Sequence, residues 1–188
     1  MSNTMMGFDI SLRNTGWVAA IVRGQGEYEI IDYGFIHTDP QQKKRGIRAA
    51  DSNIERCKTI YRTLRAAIRQ HHAQGLAFEV PNQGGQSAIS IKAMAMATAL
   101  IACLDEEHGL SFGTSGIFIT PNENKVALTG KRNASKDAMM EAVRALFPEI
   151  EWPPATGKFE HIADAAGALY AVRYSDLYRR ISGCGVGQ

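Results

Sequence analysis

Met5-Met6-Gly7-Phe8-Asp9-Ile10-Ser11-Leu12-Arg13-Asn14-Thr15-Gly16-Trp17 is the stretch from which the fold of this chain follows. The run from Met5 to Ile10 has the apolar character of a buried strand, with a carboxylate, Asp9, set near its end. A charge in that position costs several kcal/mol unless something compensates it. The polar run Ser11 to Gly16 makes a tight connection, and Trp17 to Arg23 reads as a second strand. Gly24-Gln25-Gly26 is a turn signal, and Tyr28 to His37, rich in β-branched and aromatic residues, is a third strand. Three strands on short links predict an antiparallel meander.

Further along, Leu76 to Val80 is a fourth strand, introduced by Gly75 and stopped by Pro81, and it carries a second acid, Glu79. Gly116 to Thr120 is a fifth. Helical spacing of Ile54, Cys57, Ile60, Leu64 and Ile68 makes most of Pro40 to His72 a helix, with basic residues on its other side. Ser87 to His108 is predicted as a long helix rich in Ala and Met, Asn122 to Leu128 as a short one, and Ser135 to Phe147 as one capped by Ser135. Glu160 to Ile181 is expected to form one last helix. The order predicts an α/β fold, a mixed five-stranded sheet with three antiparallel strands followed by parallel ones, flanked by helices. Residues 1–182 are expected to make a single domain and 183–188 a flexible tail.

At 188 residues the chain can build one well-buried core, and 45% hydrophobic content with 21% charged is that of a globular domain. No apolar run is expected to span a bilayer and the N-terminus lacks a secretory pattern, so no membrane partner is expected. Cys57, Cys103 and Cys184 form no CxxC pair, which points to reduced thiols in a cytoplasmic setting; the first two are expected as small core residues. Net charge is only +2, but Lys and Arg cluster between residues 41 and 70, at Lys125, Lys131, Arg132 and Lys136, and at Arg173, Arg179 and Arg180. Any one cluster suits a solvated helix face; three in a small domain favour a polyanion.

Asp9 and Glu79 at strand ends, with His161 and Asp164 three residues apart at the start of an Ala-rich helix, form the candidate site. Taken singly, Asp9 suits a turn, Glu79 a strand end, Asp164 a helix N-terminus and His161 a surface position. Taken together they predict one shared compensator, a divalent metal centre, with Glu160 as a possible substitute ligand. Two hard cations roughly 4 Å apart on such a site can clamp the attacking and leaving oxygens of a phosphodiester.

Those residues carry a resemblance. Met6 to Trp17 resembles the first motif of RuvC-type Holliday junction resolvases, Ala77-Phe78-Glu79 the second acidic strand, and Asn124-Lys125-Val126-Ala127-Leu128-Thr129-Gly130 with Ala134-Ser135-Lys136 the lysine-bearing segment. His161-Ile162-Ala163-Asp164-Ala165 is similar to the closing motif; the register that would set Gly167 in the second acid position loses a ligand. The resemblance implies a ribonuclease-H-like fold, a homodimer, and paired nicks in four-way DNA junctions with Mg²⁺, or Mn²⁺ in its place, two ions per site. Asp9, Glu79, His161 and Asp164 would be catalytic metal ligands. Lys125 and Lys136 would contact DNA, with Lys131, Arg132, Asn82 and Gln83 as further candidates. The aromatic wedge typical of bacterial members is missing from Val80-Pro81-Asn82-Gln83-Gly84-Gly85. That departure leaves open a broader branched-DNA or flap nuclease, or a junction-binding module without catalysis. The divergence elsewhere suggests a phage-encoded relative acting in the bacterial cytoplasm or an infected cell.

Overall fold

The computed structural model describes residues 3–40, 48–81, 87–154 and 157–183. Strands β1 (Thr4–Asp9), β2 (Asn14–Gly24) and β3 (Glu27–His37) form the expected antiparallel meander. Strands β4 (Gly75–Glu79) and β5 (Ile117–Ile119) add to the other side in parallel, giving the sheet order β3-β2-β1-β4-β5. Six helices complete the described chain: α1 (Ala49–Gln70), α2 (Ala88–Phe112), α3 (Pro121–Thr129), α4 (Lys136–Leu146), α5 (Gly157–Ala171) and α6 (Asp176–Ser182).

The period-2 alternation of a strand divides the core into two layers. Met6, Phe8 and Ile10 face one way, with Leu76 and Phe78 of β4, and pack against Ile60 and Leu64 of α1 and Leu100 and Leu104 of α2. Met5 and Ala77 face the other way, against Phe159, Ile162, Ala165 and Leu169 of α5 and Val143 of α4. Asp9 shares the parity of Met5, and Glu79 that of Ala77. Both acids therefore belong to the α5 side of the sheet. They are direct partners across the parallel β1–β4 pair, at its C-terminal end.

Helix α5 can lie this close only because the strands beneath it carry glycine at two points. A Cβ on Gly7 would fall 2.2 Å from the carbonyl oxygen of Ala165, and one on Gly16 would fall 2.2 Å from that of His161. Gly16 is the β-ladder partner of Asp9. The contact that seats α5 thus also seats His161 above Asp9.

Four expectations are corrected. The last helix is two, because Ser175 accepts a hydrogen bond from the backbone N–H of Tyr178 and starts α6 afresh. Helix α2 is in fact long and apolar enough, by length and composition, to cross a membrane. Lys92 is its single charge before Asp105. In this fold α2 instead buries Ala97, Leu100, Ile101, Leu104 and His108 within the domain. Cys103 lies off that stripe and is exposed, while Cys57 is half-buried against the α1–α2 core. Ile54 and Ile91, counted as apolar-face residues, are likewise more than half exposed, at 51% and 54%.

Gly16→Ala should destabilise the protein by about 3 kcal/mol or more, the upper end for overpacking, because backbone and not a flexible side chain must yield. Urea denaturation measures this directly. A loss below about 1 kcal/mol would mean that α5 is not held by that contact.

Candidate active site

Each side chain of the site is placed by a different element, and the contacts between them are short. Asp9 ends β1, and its Oδ2 lies 2.6 Å from Nδ1 of His161 on the first turn-and-a-half of α5. The loop leaving Asp9 is pinned by its own polar residues. The Ser11 hydroxyl donates to the Asn14 carbonyl at 2.5 Å, and Thr15 Oγ1 donates to the Ser11 carbonyl at 2.9 Å. The Arg56 guanidinium of α1 adds hydrogen bonds to the carbonyls of Leu12 at 2.9 Å and Thr38 at 3.2 Å.

Asp164 sits one helical turn beyond His161, on the same face of α5, and its side chain is only 6% exposed. Its Oδ2 accepts from the Lys136 ammonium at 2.8 Å, and the same ammonium lies 3.0 Å from Oε1 of Glu160. Lys136 is the first residue of α4, set there by the Ser135 cap. Glu79 is hydrogen-bonded by the side-chain amide of Asn124, which also donates to the Asp164 carbonyl at 2.8 Å.

The electrostatics follow from this crowding. Burial, then the charges of Asp164 and Asp9, push the Glu79 carboxyl up to about 8, against the opposing effects of Asn124 and Lys136. Burial and the Asp9 charge also raise Asp164, with Lys136 pulling the other way. For His161, burial disfavours the imidazolium, but the hydrogen bond and charge of Asp9, helped by Glu160 and Asp164, outweigh it and the net shift is upward. Lys136 is raised as well; burial opposes its charge, and the Asp164 and Glu160 carboxylates more than restore it. Three carboxylates with one imidazole, confined at the end of a sheet, are a donor set that fits a hard divalent cation. Among the described residues no three such side chains stand as a preformed cage. Their oxygens are turned instead to Lys136, Asn124 and His161.

A cleft of about 900 Å³ opens beside Asp9 and Glu79, with Arg13, Arg56 and Lys92 on its walls. A model of the family described as crossover junction endodeoxyribonuclease RuvC matches residues 5–169. The chain belongs to the RuvC family. It is accordingly an endodeoxyribonuclease, a hydrolase of DNA phosphodiester bonds. Among solved structures, Thermus thermophilus RuvC in complex with a Holliday junction substrate is similar with a TM-score of 0.68 at 18% identity, covering 89% of this chain and 91% of that one. A second structure of Thermus thermophilus RuvC gives 0.66 at 19% identity, covering 92% and 95%. The yeast mitochondrial Holliday junction resolvase Ydc2 gives 0.59 at 12% identity, covering 96% and 83%. At these identities the likeness to the solved structures is one of fold, and it makes the RuvC chain ribonuclease-H-like. No curated protein matches the chain in sequence.

Of the residues singled out in the sequence, the fold gathers Asp9, Glu79, Glu160, His161, Asp164 and Lys136. Lys136, read there as a DNA contact, is embedded among the acids. Lys125 is half-buried on α3, and Lys131 and Arg132 are exposed on the loop between α3 and α4. Asn82 and Gln83 lie outside the described residues. The basic face of α1 is largely internally compensated, with Arg48 on Asp51, Lys58 on Glu55, and Arg65 and Arg69 on Glu107. Arg179 and Arg180 belong to α6, which packs at Gly24, the opposite end of the sheet from Asp9. The site residue that sequence reading missed is Asn124. Only the structure marks it: α3 buries Asn124 completely while leaving Val126 42% exposed.

The raised acids fix a pH dependence. Glu79 binds its proton more tightly in the folded than in the unfolded chain, so its contribution is fully present below its ordinary value of 4.5 and is lost as pH rises through about 8. Raised His161 acts in the same direction. Melting curves in a chelator should show the Tm falling from pH 5 to pH 8, and Glu79→Gln should flatten that fall. An unchanged slope in the Gln variant would contradict the buried-acid description.

Proposed function

We propose that this chain resolves four-way DNA junctions by paired, metal-dependent nicks. The observation that carries the reading is the convergence of Asp9, Glu79 and Asp164 on one spot, close enough to oppose one another's ionisation. Family membership supplies the reaction class, and the similar Thermus protein is a complex with a Holliday junction substrate.

Asp9, Glu79, Asp164 and His161 would hold two divalent ions, Mg²⁺ with Mn²⁺ as a substitute. Bound there, the ions supply the positive charge that a phosphodiester's oxygens need as the phosphorus is attacked in line by water. The chain's own part is positional. The rigid end of the β1–β4 pair fixes Asp9 and Glu79, and α5 brings His161 and Asp164 down onto them. Lys136 keeps its charge beside Asp164 and is placed to meet a phosphate oxygen that approaches the acids. Lys125, Lys131 and Arg132, with Asn82 and Gln83, would line the approaching strand. Cleavage leaves a 5′-phosphate and a 3′-hydroxyl.

A homodimer would set two such sites against two strands. Helix α2 is suited to that contact, because Ile91, Ala95, Ala99 and Ala102 are exposed at helical spacing, and the three alanines let two backbones approach closely. Residues 1–182 would act as one nuclease domain, in the cytoplasm of a bacterium or a phage-infected cell.

Labelled four-way junction, flap and plain duplex, each with Mg²⁺ or EDTA, test the reading. Symmetric nicks confined to the junction and abolished by EDTA are expected, whereas cleavage of flaps alone would overturn the resolvase assignment. Asp9→Asn should lower the cleavage rate by a factor of about 10³ or more while retaining junction binding, since removing a group that acts within such a unit is costly. Wild-type cutting by that variant would mean the site is elsewhere.

A further inference from the structure

Asn124 is a fully buried polar side chain, at 0% exposure, on a short helix whose other neighbours are half-buried or exposed. Helix α3 is fixed at its start. Thr120 Oγ1 accepts from the backbone N–H of Glu123 at 3.3 Å, and the Glu123 carboxylate accepts from the backbone N–H of Thr120 at 2.6 Å. Thr120 follows β5 directly, and β5 is held to the β4 end by the Val80 N–H donating to the Ile119 carbonyl at 2.8 Å. Asn124 is therefore tied through a short, capped path to the same strand end that carries Glu79.

The orientation of the amide is fixed by chemistry. One atom of the group faces both the Glu79 carboxylate and the Asp164 carbonyl, two acceptors, so that atom must be the NH₂. One of its hydrogens anchors to the α5 main chain and the other reaches Glu79. The amide oxygen is buried with no hydrogen-bond donor and faces Gly167. A Cβ on Gly167 would fall 1.9 Å from that oxygen. The fold thus keeps a gap in α5 for this side chain and accepts an unpaired carbonyl to hold the amide on Glu79. A buried polar atom left unpaired costs free energy, and such a cost is commonly sustained where it serves a site.

We propose that Asn124 is a positioning residue for the metal centre, holding the Glu79 carboxylate on the side of Asp9 and Asp164 so that a divalent ion finds this one ligand already oriented. The inference rests on reading those four side chains as a metal site. Without the amide, Glu79 would be free to turn away from its two like-charged neighbours. An ion would then have to draw it back, which weakens binding without changing which groups bind.

The test is Mn²⁺ affinity of the full chain by calorimetry, alongside its Tm. Asn124→Ala should weaken Mn²⁺ binding by about 10- to 100-fold, the usual effect of losing a group that orients a metal ligand. Gly167→Ala, which leaves the amide intact but pushes it aside, should weaken binding in the same direction. The double variant should lose no more affinity than Asn124→Ala alone, because both act through one contact. A purely packing role would lower Tm and leave the affinity of the folded protein at the wild-type value, which would overturn the proposal. Should Asn124→Ala not fold, Gly167→Ala decides alone, and unchanged affinity there counts against it. If the wild-type chain binds no Mn²⁺, the metal reading itself falls. If wild type binds and neither variant differs, only the role of Asn124 falls.

Discussion

Carboxylates packed side by side at the end of a sheet repel one another, and that repulsion must be balanced before this fold can form. Asp9 and Glu79 are neighbours in register on parallel strands, and α5 presses Asp164 down on them. The balance is distributed over Lys136, His161 and Asn124, each delivered by a different helix. Those helices are held by features that look purely structural: the Ser135 cap that starts α4, the glycines of β1 and β2 that let α5 approach, and the capping box of α3. Remove the charge problem and much of this detail has no reason to exist.

The strands and the acids were legible in the sequence because their signal is local. Alternation and short turns expose β1 to β3, and a charge ending an apolar run marks Asp9 and Glu79 without any knowledge of the partner strand. The His161–Asp164 spacing is readable for the same reason, since i and i+3 share a helix face. What was not legible depended on the third dimension. That the lysine at 136 also lies against Asp164 and Glu160 depends on where α4 starts relative to α5, and sequence spacing carries no such information. The break between α5 and α6 turned on Ser175 acting as a cap within a pattern that continued to look helical on both sides. Asn124 was hidden by its company, a polar residue among Asn122, Glu123 and Lys125, and only burial separates it from them.

The same logic sorts the basic residues. A count of Lys and Arg suggested a broad polyanion surface. The structure pairs much of α1 with its own acids and places α6 at the far end of the sheet. Among the described residues, Arg56 and Lys92 line the cleft beside the acids, and Lys131 and Arg132 lie exposed on the α3–α4 loop.

The central claim is that the acids form a metal centre whose ligands are assembled around the β1–β4 strand end. Anomalous diffraction from crystals soaked in Mn²⁺ tests it most directly. The account predicts peaks among Asp9, Glu79, His161 and Asp164, with Lys136 displaced from Asp164 as the ion takes its place. Mn²⁺ bound elsewhere, with the Lys136–Asp164 and His161–Asp9 contacts intact at saturating metal, would contradict it.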